Sequence, residues 1–154
     1  AAAGAGLTNG SFELDYEGWT HTGNQVVASA GSFYAATDGT KAVAFNGGQK
    51  TPDGVLSQSF ATTPGQSYTL AFDVGAVSLV NTREQRLQVT ISQGSGAPIT
   101  QTFSVFATGT GGSYAAQSMA FVAAGATTTL TFQDVSLTSH SVDVVLDRVR
   151  VTQP

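Results

Sequence analysis

The chain has 154 residues, a formal net charge of −4, 41% hydrophobic residues, only 10% charged residues and no cysteine. This length and composition allow one domain with a buried core, and the lack of cysteine excludes disulfide bridges and thiolate chemistry. The few scattered Lys and Arg residues supply no basic face for a nucleic acid, and the apolar runs are too short to insert into a membrane.

Alternation of apolar and polar residues with a period of two predicts β-strands from one end of the chain to the other. Gly and Pro residues mark nearly every junction, as turns require. We predict strands near 8–14, 18–20, 24–30, 41–46, 54–61, 66–76, 84–93, 98–106, 114–123, 126–134 and 143–152. Many short strands at this spacing predict one all-β sandwich or barrel over residues 7–154, after a linker or processed N-terminus at 1–6.

Two segments, 58–72 and 117–132, have the same order of features: an alternating stretch, a tight turn and a second alternating stretch. We therefore predict two similar hairpins at these positions.

The lengths of the connections predict where binding residues gather. If the strands from residue 41 onward alternate in direction, the short turns at 62–65, 94–97 and 124–125 lie at one end of the domain. The longer connections then lie at the opposite end, at 47–53, 77–83, 107–113 and 135–142. Because binding residues concentrate on long loops held by a rigid scaffold, the end with the longer connections is the better candidate for a ligand site.

Several motifs occur together in an order that resembles a known superfamily. They are Asn-Gly-Ser-Phe-Glu at 9–13 with Gly-Trp at 18–19, the segment 38–45, the segments 55–60 and 64–72, and the closing segment 146–151. In this order they resemble the galactose-binding-like jelly rolls, which include xylan- and glucan-binding carbohydrate-binding modules and a related extracellular family of unknown function. The resemblance covers residues 7–152 and implies a jelly-roll β-sandwich of two antiparallel sheets.

Two carboxylates point to a structural calcium site. Alternation places Ser11 and Glu13 on one face of the predicted first strand, and Asp147 on an apolar face of the last, where a carboxylate needs a partner. If these strands are neighbours, Glu13 and Asp147 converge into an oxygen site that suits calcium. The resemblance implies that the side chains of Glu13 and Asp147 and the carbonyls of Ser11 and Lys41 hold this ion. The alternative pairs both carboxylates with Arg148, Lys41 or backbone amides.

Sugar recognition combines an aromatic ring, which stacks on the apolar face of the sugar, with polar groups for its hydroxyls. Arg83 is the first candidate because it lies where a long loop enters a strand, and its alternative is a surface ion pair. Trp19, beside His21, is either a ligand platform or part of the packing. The remaining candidates lie near the predicted long-loop end, and they are Asn46, Gln49, Gln85, Tyr114 and His140.

The sequence contains no recognisable catalytic motif, since neither His-Glu-x-x-His nor Gly-x-Ser-x-Gly occurs. We therefore predict a secreted, non-catalytic carbohydrate-binding module that keeps a polysaccharide-degrading domain of the same parent chain on its glycan. The alternative is an extracellular adhesive or cell-surface domain that binds protein or matrix, and a small hydrolase on a jelly-roll scaffold is a third hypothesis.

Overall fold

A computed structural model describes residues 7–23, 25–29, 36–45, 54–78, 84–93, 98–106, 111–136 and 143–152. The predicted linker at 1–6 lies outside these residues. The described residues form ten strands, β1 (Thr20–Thr22), β2 (Gln25–Ser29), β3 (Lys41–Phe45), β4 (Val55–Ala61), β5 (Ser67–Ser78), β6 (Glu84–Gln93), β7 (Ile99–Phe106), β8 (Gly111–Val122), β9 (Thr127–Asp134) and β10 (Asp143–Thr152). Nothing in this part of the chain is a helix long and apolar enough to cross a membrane.

The ten strands form two five-stranded sheets in which every neighbouring pair is antiparallel. Sheet I has the order β1-β4-β9-β6-β7, and sheet II has the order β2-β3-β10-β5-β8. Strands β1 and β2 form one lateral edge of the sandwich, and strands β7 and β8 form the other. This arrangement confirms the predicted jelly-roll sandwich of two antiparallel sheets.

The prediction of a strand at 8–14 is wrong, because the chain forms successive turns from Gly10 to Gly18. Asn9, Phe12 and Asp15 have φ angles of 52°, 58° and 57°, which an extended strand cannot accommodate. The Phe12 amide donates to the Asn9 carbonyl at 3.2 Å, and the Asp15 amide donates to the Phe12 carbonyl at 3.0 Å. Ser11 and Glu13 therefore lie on turns and do not share a strand face.

The two predicted hairpins are also wrong. β4 belongs to sheet I and β5 to sheet II, and likewise β8 belongs to sheet II and β9 to sheet I. The tight turns at 62–66 and 123–126 therefore carry the chain from one sheet to the other. Each alternating stretch has its apolar face toward the common interior, so both strands are half-buried without pairing with each other.

The core fills the space between the sheets and is rich in phenylalanine. The ring of Phe72 meets the rings of Phe103 and Phe132 edge-on, with centroid separations of 5.3 Å in both cases. Phe12 and Phe45 are fully buried in the same cluster. Each such side chain stabilises the fold by roughly 1.5–3 kcal/mol through burial alone.

The short turns gather at one end of the sandwich, as predicted. The Gly65 amide donates to the Ala123 carbonyl at 2.8 Å, so the turn at 62–65 lies beside the turn at 124–125. Gln93, the last residue of β6, donates to the Val122 carbonyl at 3.0 Å and so brings the start of the 94–97 connection to the same place. The connection itself, 94–97, lies outside the described residues.

The strand ends that flank the longer connections meet at the opposite end. In the sheet registers Ser78 pairs with Gly111, and Glu84 pairs with Phe106. This end of the two sheets is where sequence analysis expects the ligand site.

Candidate functional site

The carboxylate of Glu13 holds the segment that leads into β3. Oε1 accepts hydrogen bonds from the amide and the hydroxyl of Thr40 at 2.8 and 3.0 Å, and Oε2 accepts one from the Lys41 amide at 2.7 Å. The backbone hydrogen bond from Thr40 is the largest influence on this carboxyl, and the pKa of Glu13 is lowered overall. The contact needs glycine at position 39. The φ of Gly39 is +87°, and a Cβ atom there would lie only 2.4 Å from Glu13 Cδ.

Asp147 of β10 binds the same segment and is fully buried. Oδ2 accepts hydrogen bonds from the amides of Thr37 and Asp38 at 2.8 and 2.9 Å, and Oδ1 accepts one from the Arg148 amide at 2.7 Å. Burial raises the pKa of Asp147 to about 6, although the amide hydrogen bonds act in the opposite direction. We name the two carboxylates and residues 37–41 the carboxylate clamp.

A bulge in β10 ties the clamp to the N-terminal turns. The register between β10 and β5 shifts between Asp147 and Arg150, and Arg148 within the bulge has a φ of 53°. The Val149 amide donates to the Gly10 carbonyl at 2.9 Å, and a Cβ atom at Gly10 would lie 1.8 Å from the Val149 carbonyl oxygen. The N-terminal turns, β10 and the segment before β3 are thus fixed together at one place.

Sequence analysis left open an alternative to calcium, in which backbone amides bind both carboxylates. The hydrogen bonds of the clamp are the ones that this alternative predicts. Among the described residues, no group of three or more His, Asp or Glu side chains could hold a metal ion. A calcium ion would therefore need carbonyl oxygens in addition to Glu13 and Asp147. Carboxylates and carbonyls are the hard oxygen donors that calcium takes, so the chemistry of the donor set fits this ion.

A cleft of about 220 Å³ opens at the other lateral edge, between β7 and β8. Its walls come from three strands, and its lining residues are Val74, Gly75, Ser104, Val105, Phe106, Tyr114, Ala115 and Gln117. The ring of Phe106 is 59% exposed at the end of β7. This aromatic surface, the Gln117 amide and the Ser104 hydroxyl give the cleft an apolar platform with polar groups beside it.

Tyr114 joins the cleft to the outer face of sheet II. Its ring is half-buried and packs on a small cluster of Ala44, Val77 and Val145. Burial raises the pKa of Tyr114, and the carboxylates of Asp147 and Asp73 add to this effect. The phenol therefore stays protonated at neutral pH.

The two edge strands beside the cleft, β7 and β8, carry no charged side chain. Residues 87–133, which include all of β7 and β8, contain no Asp, Glu, Lys, Arg or His. At the rim, Glu84 lies opposite Phe106 in the register and forms an ion pair with Arg86 at 2.9 Å. We name the β7–β8 edge and its cleft the neutral side.

The structure separates the predicted ligand residues. Tyr114 lines the cleft, and its role as a ligand contact stays a prediction. His21 is exposed on β1, at the opposite lateral edge, and its ring stacks on Tyr16 at a centroid distance of 3.7 Å. Four of the predicted residues lie outside the described residues, and they are Asn46, Gln49, Arg83 and His140.

Two predicted ligand residues are buried. Trp19 is 7% exposed, and its Nε1–H donates to the Asn9 carbonyl at 2.9 Å, so the packing alternative fits and the ligand platform does not. Gln85 is fully buried, and its Nε2 donates to the Glu84 carbonyl at 3.0 Å. It belongs to the inward face of β6 together with Leu87 and Val89, which corrects its assignment as a sugar contact.

Sequence reasoning did not identify Phe106, Ser104 or Gln117. The alternation within β7 does carry the signal for Phe106, because Phe103 and Val105 share the inward face and leave Phe106 on the outward one. An outward aromatic residue next to a longer connection is a binding candidate. Gln117 shares the inward face of β8 with Met119, and only the open edge of the sandwich makes it accessible.

Solved structures of carbohydrate-binding modules share this fold. A family 61 module, TmCBM61, solved with β-1,4-galactotriose, is 14% identical, with a TM-score of 0.71 and 99% of both chains covered. The N-terminal tandem of family 22 modules from Paenibacillus barcinonensis is 18% identical, with a TM-score of 0.64, and the match covers 99% of this chain and 47% of that one.

The N-terminal family 22 and glycoside hydrolase family 10 modules of a Clostridium thermocellum endo-1,4-β-D-xylanase, solved with xylohexaose, are also similar. The identity is 17%, the TM-score is 0.63, and the match covers 94% of this chain and 27% of that one. These likenesses confirm the predicted resemblance to the galactose-binding-like jelly rolls at the level of the fold.

No curated protein sequence matches the chain. Residues 13–152, from the first clamp carboxylate almost to the last residue, match the family described as "Protein of unknown function (DUF642)". The chain therefore belongs to the DUF642 family.

Proposed function

We propose that this chain is a non-catalytic carbohydrate-binding module and that its ligand lies in the cleft of the neutral side. The observation that carries the proposal is the exposed ring of Phe106 beside Gln117 and Ser104, in a fold shared with modules solved with galactotriose and xylohexaose. Fold alone does not determine function, so the cleft is the part of the proposal that needs testing.

The chemistry of the cleft suits a sugar. The Phe106 ring offers a flat apolar surface for the C–H face of a pyranose, while the Gln117 amide can donate to and accept from neighbouring hydroxyls. The volume of about 220 Å³ is below the roughly 300–1,000 Å³ usual for enclosed small-molecule sites. A short stretch of a longer chain, lying across the cleft, fits these dimensions better than an enclosed oligosaccharide.

The test is affinity electrophoresis against galactan, xylan, β-glucan and a panel of algal and microbial polysaccharides. Retardation by at least one neutral polysaccharide is expected, with no release of reducing sugar. Phe106→Ala should weaken this binding at least about tenfold, which corresponds to roughly 1.4 kcal/mol.

The matched control is Leu14→Ala, because Leu14 is 61% exposed and lies on the N-terminal turns, away from β7 and β8. It should bind like the wild type. Binding that survives Phe106→Ala would place the ligand elsewhere. A protein that binds no polysaccharide at all would favour the alternative, an adhesive domain with a protein or matrix partner.

We also propose that the module is secreted and keeps a polysaccharide-degrading domain of the same parent chain on its substrate. The xylanase of Clostridium thermocellum, in which a similar module and a glycoside hydrolase family 10 module occur together, supports this role. The sequence of the parent gene tests it. An export signal and a neighbouring catalytic domain are expected, and a gene that encodes neither would contradict the proposal.

A structural calcium ion at the clamp is part of the proposal. The side chains of Glu13 and Asp147, with the carbonyls of Ser11 and Lys41, would hold it, and the ion would supply positive charge to two carboxylates and link the N-terminal turns to β10. The meeting of both carboxylates on the one segment 37–41 supports this assignment, since hard oxygen donors from separate parts of the chain come together there.

Thermal unfolding with and without calcium tests the ion. Calcium should raise the Tm of the wild type, and EDTA should lower it, because the ion binds only the folded state. Glu13→Gln should remove most of the calcium effect, whereas Glu17→Gln, on the same turns, should leave it in place. If protein first stripped of metal had equal Tm values in calcium and in EDTA, the proposed ion would be contradicted, and the clamp carboxylates would bind only amides and the Thr40 hydroxyl.

A further inference from the structure

Among the described residues, strand β8 has no strand on one of its two sides, although its last residue, Val122, accepts a hydrogen bond from the Gln93 side chain. On one side it pairs with β5 through twelve consecutive residue pairs, from Ser67↔Val122 to Ser78↔Gly111, without a register shift. On the other side no strand of the described residues pairs with it, because β8 is the last strand of sheet II. The N–H and C=O groups along such an edge form a template for a further strand.

The features that usually protect an edge strand are missing from β8. It contains no charged residue and no proline, and its twelve residues make it the longest of the four edge strands, compared with three in β1, five in β2 and eight in β7. Ala116, Ser118 and Ala120 are exposed on its outward face. These side chains are small, so another strand can approach the backbone closely.

The charge distribution indicates what kind of strand fits. The chain has a net charge of −4, so most pairs of surfaces from two copies repel each other. The segment 87–133, with β8 inside it, is the longest segment of the chain without a charged residue, so it can meet its own copy with little repulsion. Antiparallel pairing of two identical strands also has a two-fold axis, which uses both free edges and closes the assembly.

We propose that β8 pairs antiparallel with β8 of a second copy of this chain, so that two five-stranded sheets become one continuous sheet across the dimer. Gln117, which lines the cleft, belongs to the same strand. Because only the open edge makes Gln117 accessible, the strand of the second copy would lie across this side of the cleft, and pairing at β8 would compete with glycan binding there.

Sedimentation equilibrium of the full chain without glycan tests the pairing. The mass should rise with protein concentration from the monomer value of 15.7 kDa toward twice that value. Ser118→Lys should keep the protein monomeric at concentrations where the wild type is mostly dimeric, because it places like charges near the two-fold axis. Ala120→Lys provides a second variant at the same edge, and circular dichroism verifies that both variants are folded.

Two controls separate the β8 edge from other surfaces. Thr127→Lys adds the same charge at an exposed position of β9, an interior strand of sheet I, and should leave the dimer intact. Thr102→Lys does the same at the β7 edge and should also leave it intact.

Three results would overturn the proposal: a wild type that stays monomeric at all concentrations, a dimer that survives both β8 variants, or a dimer that the Thr102 or Thr127 variant dissociates as strongly. The experiment contains no glycan, so its failure leaves the proposed carbohydrate binding untouched. Failure to bind glycan would equally leave the dimer in place.

Discussion

The carboxylate clamp and the neutral side use opposite chemistry within one sandwich. At the clamp, a buried Asp147 and the carboxylate of Glu13 bind five backbone amides of neighbouring segments, at distances from 2.7 to 2.9 Å. Across residues 87–133 there is no charged side chain, and an aromatic ring is left 59% exposed. The difference indicates that hydrogen bonds to carboxylates join irregular segments at the clamp, whereas strand pairing and apolar packing form the regular β7–β8 edge without a charged side chain.

The largest expected effect is the loss of Asp147. In Asp147→Ala the amides of Thr37, Asp38 and Arg148 lose their acceptor in a buried place, which should cost about 3 kcal/mol of unfolding free energy. For a chain of this size, that corresponds to a Tm lower by roughly 6–12 °C. Asp15→Asn is the control, because it removes the exposed ion pair with Lys41, keeps a residue type that tolerates the φ of 57° at this position, and should leave Tm nearly unchanged.

If both variants lowered Tm equally, the clamp would be no more important than a surface ion pair, and the comparison between the two regions would fail. Thermal unfolding by circular dichroism in one buffer is sufficient for this measurement.

Gly39 and Gly65 provide a smaller, matched test of the clamp. Their φ angles are +87° and +85°, so alanine at either position costs about 1 kcal/mol for the backbone conformation. At Gly65 a new Cβ meets nothing within 4 Å, whereas at Gly39 it would overlap the Glu13 carboxylate. Gly39→Ala should therefore destabilise by at least about 1 kcal/mol more than Gly65→Ala, as measured by urea unfolding. Equal losses would mean that the Glu13 contact contributes nothing.

Asp147 should make the protein less stable as the pH rises, which is the reverse of the usual behaviour of a carboxyl group. The folded pKa of Asp147, about 6, lies above its ordinary value of 3.8, so the folded state binds this proton more tightly than the unfolded state. In calcium-free buffer its contribution to stability should fall as the pH rises from about 4 to about 6. The measurement is the free energy of unfolding as a function of pH for the wild type and for Asp147→Asn. The wild-type value minus the variant value should fall between about pH 4 and pH 6, and a rise would contradict the prediction.

The smallest expected effect concerns salt. Glycan binding at the neutral side should change less than about twofold when NaCl is raised from about 0.05 M to about 0.5 M, because none of the described residues that line the cleft is charged. Isothermal titration at both concentrations measures this. A steep loss of affinity in salt would mean that a charged residue outside the cleft binds the ligand.

The strands were predictable because alternation and turn residues are local features. The same alternation could have placed Gln85 correctly, since it has the parity of Leu87, Val89 and Ile91 on the inward face of β6. The carboxylates Glu13 and Asp147 were predicted from strand alternation and from the resemblance, and the structure brings both to the segment 37–41 although residues 8–14 form turns and not a strand.

The predictions were wrong where the local structure depends on contacts between residues that are far apart in the sequence. The turns at 10–18 depend on the hydrogen bond between Trp19 and the Asn9 carbonyl and on the packing of Phe12. The choice of sheet for β5 and β8 depends on partners far along the chain, so a tight turn alone suggested a hairpin. Phe106 lines a cleft only because β7 and β8 end their sheets on the same side, and no local pattern records that.

The most direct test of the account is to map a bound oligosaccharide by NMR chemical-shift changes on the folded chain. The account predicts that the largest changes lie at Phe106, Tyr114 and Gln117 on the neutral side, with the amides of Thr40 and Lys41 at the clamp unchanged. Changes centred on the clamp, or on the β1–β2 edge around His21, would contradict the assignment of the ligand to the cleft.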